Sequence, residues 1–395
     1  MSSQSRQHHW DFARALYLLL GIPFHAAVVY STHFVWSVSS PQHSPLLTLI
    51  ADSIHVFRMP GFFILAGFFS MMMLSRQGAR PWLGKRLVRL GLPLATATLT
   101  ILPLQIVMQQ YGLVVSGELA PARLGASIAF SETHFDEPWV SHLWFLYCLI
   151  TYSAALAGIV ALTGAARFSA LVAAVAEFGL RHRWLAFATL AAACAGLALV
   201  LPALYRVGGS HMPAAVAYNS YAVYFCFGAA MFISAPLRAW YSGAGWMALG
   251  IGCLLGLVSL IAPSTPWSQA VFMISGVVAA MMITGFITGM ATVRFNGHNP
   301  AIRRIVDASF TIYLFHHPLI FAMATLFLML DWPPLLEWLI TFTLAGLLSY
   351  GIHLLIARSA VALLLFNGAR ARPPAGQTGA AGLQQPSRAG ASGQS

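Results

Sequence analysis

The stretch RALYLLLGIPFHAAVVYS, Arg14 to Ser31, decides the class of fold. It is apolar enough to cross a bilayer, yet it has an arginine at one end and a histidine, His25, in its interior. The whole chain has the same character: 58% of its 395 residues are hydrophobic, 8% are charged and the mean hydropathy is +0.75. Such a composition cannot supply a water-facing surface, so the chain is an integral membrane protein and the fold class is an all-α polytopic bundle. The formal charge of +11 does not imply nucleic acid, because in a membrane chain the position of the basic residues carries the information. Cys148, Cys194, Cys226 and Cys253 lie within apolar runs and read as small buried hydrophobes.

A hydrocarbon core of about 30 Å needs about 20 apolar residues per helix. About ten segments qualify: 14–31, 47–74, 87–108, 142–163, 184–202, 217–235, 245–262, 268–291, 308–330 and 335–357. The first starts late, contains Arg14 and His25 and lacks a small-x-small exit, so it reads as a span and not as a cleaved signal peptide. With the N-terminus inside, the inner segments collect Arg6, Arg76, Arg80, Lys85, Arg86, Arg89, Arg167, Arg181, Arg183, Arg238, Arg294, Arg303 and Arg304, whereas the outer loops hold only Arg123 and Arg206. The longest outer loop, 109–141, is acidic, with Glu118, Glu132, Asp136 and Glu137. Residues 1–366 form one transmembrane domain, and 367–395, rich in Gly, Ala, Pro, Gln and Ser, reads as a disordered cytoplasmic tail. With no soluble catalytic domain and no internal repeat, chemistry has to take place inside the bundle.

Ionisable residues at mid-span cost about 2.5–3.5 kcal/mol each on insertion scales, which calls for a partner or a function. Arg14 and His25 are eleven residues apart, about 1100° of helix, so they share a face roughly 16 Å apart along the axis. Asp52, His55 and Arg58 recur at intervals of three on one face of the second span, with Asp52 near the outer side and Arg58 near the depth of His25. An ion pair of Asp52 with Arg58 is the architectural alternative to a site there. Pro60 should kink that helix just after Arg58. Arg86 and Arg89, with Lys85 beside them, stand on one face at the inner mouth of the third span. That arrangement suits phosphate groups, although positive-inside loops also produce it. His316 and His317 reach mid-depth in the ninth span, where Pro318 interrupts the helix, and His142 lies at the outer mouth of the fourth. Metal or haem ligation and proton transfer are both open uses of such imidazoles, whereas His353 reads as a satisfied core histidine.

Taken in order, these motifs resemble the membrane-bound acyltransferase 3 family. The arginine, ten residues and a histidine of its first span match Arg14 and His25, and its Arg-x-x-Arg matches Arg86 and Arg89. The stretches LLGIPFH, SIHVFRMPGFFILAGFFS, RLVRLGLPLATATLTILPLQIVMQQY, SHLWFL and ASFTIYLFHHPL are most similar to the branch that succinylates osmoregulated periplasmic glucans. The resemblance implies a succinyltransferase of the bacterial inner membrane. Its partners would be an acyl-CoA, succinyl-CoA, as cytoplasmic co-substrate, a periplasmic glucan hydroxyl as acceptor, the lipid bilayer and other glucan biosynthesis proteins, with no nucleic acid, no metal and no bound cofactor.

On that reading His25 is the catalytic base. Arg58 holds the succinyl carboxylate or the developing oxyanion, and Asp52 and His55 orient His25 or Arg58. Arg14, Lys85, Arg86 and Arg89 hold the donor, and His142 and His316 face the acceptor. An O-acetyltransferase of another surface polysaccharide is the near alternative. A polytopic transporter and a membrane cytochrome are alternatives of other classes.

Overall fold

The computed structural model describes residues 8–34, 36–125, 140–208, 219–261, 264–295, 297 and 299–369. Glu132, Asp136, Glu137, Arg6 and the tail from 370 onward lie outside them. Among the described residues the chain is helical and contains no strand.

Each apolar segment read from the sequence carries a helix. The first span is α1 (His8–Leu19) and α2 (Gly21–Val28), interrupted at Leu20. Pro23 explains the interruption, since its missing amide cannot bond the carbonyl four residues back. Leu20 itself keeps right-handed helical angles, so the axis continues and Arg14 and His25 stay three turns apart. Next come α3 (Pro45–Gln77), α4 (Ala79–Val115), α5 (Trp144–Thr163), α6 (Ala165–Arg181) and α7 (Arg183–Gly208). The remainder is α8 (Ala222–Ile233), α9 (Ala235–Ser242), α10 (Trp246–Ser259), α11 (Pro266–Arg294), α12 (Pro300–Phe327), α13 (Pro334–Ile356) and α14 (Ala360–Asn367).

Among the described residues eight helices are long and apolar enough to cross a membrane, or nine if α8 and α9 form one broken span. That pair is bent by 116° because Ser234 caps a new helix that has Pro236 in its first turn. The seventh apolar segment, 245–262, carries α10, which has only 14 residues.

The most deeply buried span is α3, which runs unbroken through Pro60. It crosses α8 at close range, because Gly67 and Gly228 each face the other helix's backbone, where a Cβ would collide with a carbonyl. Around it α1, α2, α4, α5 and α12 supply the core, with Tyr17, Phe63, Phe68, Phe145 and Phe321 almost wholly enclosed. The starts of α4 and α12 and the ends of α13 and α14 meet Arg14 at one end of the bundle. We call this the basic end.

Candidate active site

Four histidines from three segments converge inside the bundle. The His25 ring lies 4.7 Å from that of His317 and 5.4 Å from that of His316, and His142 stacks on His317 at 4.5 Å. All four are buried.

Local chemistry fixes three of them. Pro318 has no amide hydrogen for the carbonyl of Leu314, four residues back, and α12 nevertheless continues through it. The sequence reading of an interrupted helix is thus corrected: the proline leaves the helix intact and frees an acceptor. His142 uses it, donating Nε2–H to the Leu314 oxygen at 3.1 Å. His142 is carried there by a single turn, Ser141–Leu143, whose first residue has φ +41°, a strained value for serine that buried surroundings enforce. His316 donates Nδ1–H to the Tyr313 carbonyl (2.6 Å), and the Tyr313 hydroxyl donates to the His142 carbonyl (3.2 Å). The amide nitrogen of Gln105 is used on Ser141 Oγ (2.7 Å), so its oxygen accepts from His317 Nδ1 (3.0 Å). Neutral His142, His316 and His317 therefore keep lone pairs at Nδ1, Nε2 and Nε2 respectively.

His25 differs, because neither of its ring nitrogens has a protein partner. Around it stand Phe24, Trp36 and the two α12 histidines. Two sets of buried donors in the same region are equally uncommitted: Trp36 Nε1, whose ring is 5.2 Å from that of His25, and Nε and Nη1 of Arg58. The Arg58 guanidinium lies over the Phe24 ring at 4.4 Å, and its charge acts on His25, His55, His316 and His317. It fits because residue 21 is glycine: a Cβ there would sit 2.8 Å from Nη1 and 3.3 Å from Tyr313.

The remaining predicted residues fall in two places. Asp52 accepts from His33 Nε2 at 3.1 Å, so the carboxylate pairs with a loop histidine and Arg58 is not its partner. The reason lies in the chain path, since the loop after α2 brings His33 back over α3. His55 stands on α3 between Phe24 and Phe34 and remains exposed. At the basic end, Arg14, Arg86, Arg89 and Arg303 line a cavity of about 570 Å³ whose deeper wall includes Leu18, Phe62 and Phe145. Arg14 bonds Asp11 (3.4 Å) and lies over Phe69, and Arg86 reaches Ser153 (3.4 Å). Lys85 instead bonds Gln77 (3.0 Å) and is absent from that lining. His353, read as a core histidine, forms part of the cavity wall.

Sequence reasoning missed Gly21, Trp36, Gln105, Ser141, Tyr313 and Arg303. Gln105 carried a usable signal, a polar residue in mid-span. Trp36 lies in a loop where no periodicity marks it. Among the described residues no group of three or more His, Cys, Asp or Glu is arranged to hold a metal ion.

The cavity and the histidine cluster are in contact through side chains, since Phe145, which lines the cavity, packs against Tyr313 at 4.6 Å. The arrangement joins a mouth lined by arginines to buried imidazoles with uncommitted donors beside them, groups of the kind that acyl transfer uses.

Comparison with known proteins agrees. The acyltransferase-domain family profile matches residues 7–357. Glucans biosynthesis protein C of Salmonella heidelberg, Salmonella typhi and Salmonella typhimurium is 30% identical over 329 residues, covering 80% of this chain and 82% of each relative. No solved structure matches. The chain belongs to the acyltransferase 3 family, as a multi-pass membrane acyltransferase related to glucans biosynthesis protein C.

Proposed function

We propose that the protein transfers succinyl groups from succinyl-CoA, bound at the basic end on the cytoplasmic side of the bacterial inner membrane, to hydroxyls of osmoregulated periplasmic glucans, with His25 as general base. The observation that carries the reading is the uncommitted His25 imidazole, set among three histidines held by neighbours and about 16 Å along its helix from Arg14. The phosphates of the donor pair with Arg14, Arg86 and Arg89, and with Lys85 at the rim. The acceptor approaches from the opposite side, past His33, Asp52 and His55, toward His142 and His316.

In the reaction, a ring nitrogen of His25 takes the proton of the sugar hydroxyl as its oxygen attacks the thioester carbonyl. The tetrahedral oxyanion receives hydrogen bonds from Trp36 Nε1 and from Nε or Nη1 of Arg58, donors without a protein partner. The carbon–sulfur bond then breaks, and the leaving thiolate takes the proton back from the His25 imidazolium. Arg58 also pairs with the far carboxylate of a succinyl group. Other glucan biosynthesis proteins deliver the acceptor.

The test is succinyl transfer onto periplasmic glucan in cells carrying wild type or His25→Ala. Loss of a general base should lower the rate about 10²- to 10⁴-fold, with the variant still present in the membrane. Full activity of His25→Ala would sink the mechanism.

A further inference from the structure

The cavity at the basic end has two unlike walls. One is cationic, with Arg14, Arg86, Arg89 and Arg303. The other, built from the last turn of α13, from α14 and from the two residues after it, contributes no arginine or lysine. Its polar groups are His353 and Asn367, and behind them stands Thr311 of α12, fully enclosed.

One arrangement of hydrogens satisfies these three residues together. Asn367 Nδ2 lies 3.3 Å from the carbonyl oxygen of Asp307, which can only accept, so the amide nitrogen and not the amide oxygen faces α12. That same nitrogen donates to Thr311 Oγ1 at 2.9 Å. Directing the threonine hydrogen to His353 Nδ1, 3.2 Å away, gives it an acceptor as well. In that arrangement neutral His353 carries its proton on Nε2, on the ring edge away from Thr311. The neutral wall thus contains an N–H donor whose tautomer is set two residues away.

Its depth is set by α12. Arg303, Asp307 and Thr311 follow at four-residue steps on one face, and His316 is five residues further. Thr311 is therefore about 12 Å along the axis from Arg303 and about 7.5 Å short of His316. The wall is also tied to the cationic side: Gly368 ends α14 at φ +64° and lies against the Arg89 carbonyl, where a Cβ would collide.

We propose that His353 and Asn367, positioned by Thr311, form a neutral hydrogen-bonding subsite for the amide-bearing arm of the coenzyme A donor, with His353 Nε2–H donating to an amide carbonyl. The inference rests on the acyl-CoA reading given above. A donor whose phosphates lie among the arginines and whose thioester reaches His25 has to lay its uncharged amide segment along the level of Thr311. A neutral donor satisfies an amide carbonyl there without adding buried charge.

The experiment compares three succinyl thioesters, those of coenzyme A, of pantetheine and of ethanethiol, with protein in native membranes. Thr311→Val keeps the shape and removes the relay. It should raise KM about five- to tenfold for the coenzyme A and pantetheine donors, with kcat changed less than about twofold, and leave the ethanethiol donor unaffected. Thr311→Ser should restore both KM values. Arg86→Gln with Arg89→Gln should raise KM for the coenzyme A donor only. Unchanged KM in Thr311→Val, or an equal loss of kcat with all three donors, overturns the subsite while leaving the acyl-CoA reading standing if the arginine variants respond. If wild type transfers nothing from a coenzyme A thioester, both fall together.

Discussion

Replacing Pro318 with alanine should leave the fold intact and impair the site, a combination that few core substitutions produce. In α12 the missing amide of Pro318 leaves the Leu314 carbonyl available, and His142 Nε2–H is bonded to it at 3.1 Å. Pro318→Ala supplies the helical N–H and makes it a competitor for that oxygen. A proline in a helix interior costs about 3 kcal/mol relative to alanine. Because α12 already accommodates the ring without a break, only part of that is recoverable, and the variant should unfold at the same temperature as wild type or higher. What is lost is the hold on His142: a hydrogen bond of this kind contributes about 1 kcal/mol net, which corresponds to roughly a fivefold change.

The assay is a double-mutant cycle on succinyl transfer, with Pro318→Ala, His142→Ala and the pair. If the proline acts by freeing the acceptor for His142, Pro318→Ala lowers the rate about fivefold in the wild-type background and has no further effect in His142→Ala, a coupling of about 1 kcal/mol. Multiplicative losses, or full activity of Pro318→Ala where His142→Ala is impaired, would refute the reasoning. The second outcome would mean that the Leu314 oxygen accepts both hydrogens through its two lone pairs.

Three further substitutions probe the donors around His25. Arg58→Lys keeps the charge but loses the planar fork, so kcat/KM should fall roughly tenfold or more with succinyl-CoA and distinctly less with acetyl-CoA; equal losses with both donors would exclude pairing of Arg58 with the succinyl carboxylate. Gly21→Ala places a methyl group 2.8 Å from Arg58 Nη1 and should lower kcat about tenfold, whereas Gly84→Ala, which meets nothing within 4 Å, should stay within about twofold of wild type; a fully active Gly21→Ala enzyme would show that the Arg58 position is not needed. Trp36→Phe keeps the ring stacked on Phe321 and deletes one N–H, so kcat should drop about a hundredfold at nearly constant KM. An unaltered kcat would remove Trp36 from the oxyanion site.

Hydropathy made the helices legible, and polar residues in apolar surroundings made much of the site legible too. His25, Arg58, His142, His316 and His317 were each conspicuous for that reason, and the fold brings them into one cluster. What escaped the sequence depends on groups that are unremarkable until the chain is folded. Gly21 matters through a guanidinium from another helix. Asp52 finds His33 because a loop doubles back, and no helical spacing encodes a loop path. A proline inside a helix is likewise ambiguous in sequence. Pro318 reads as an interruption, yet α12 continues through it, and the consequence is a free carbonyl used by a neighbour.

The contrast among the four histidines bears most directly on function. The Leu314 carbonyl is used for His142, the Tyr313 carbonyl for His316 and the Gln105 amide for His317, so this region of the fold is well able to satisfy a buried imidazole. Leaving a buried polar group unpaired costs about 1–3 kcal/mol. His25 nevertheless has no protein partner at either nitrogen, and Trp36 Nε1–H and two Arg58 nitrogens, donors that an imidazole lone pair could accept, likewise lack one in the same region. Bonding them together would stabilise the resting fold and, in the proposed mechanism, remove the base and the oxyanion donors at once. Their separation is what a thioester attack needs: a lone pair for the incoming hydroxyl proton on one group, and N–H donors for the oxyanion on others.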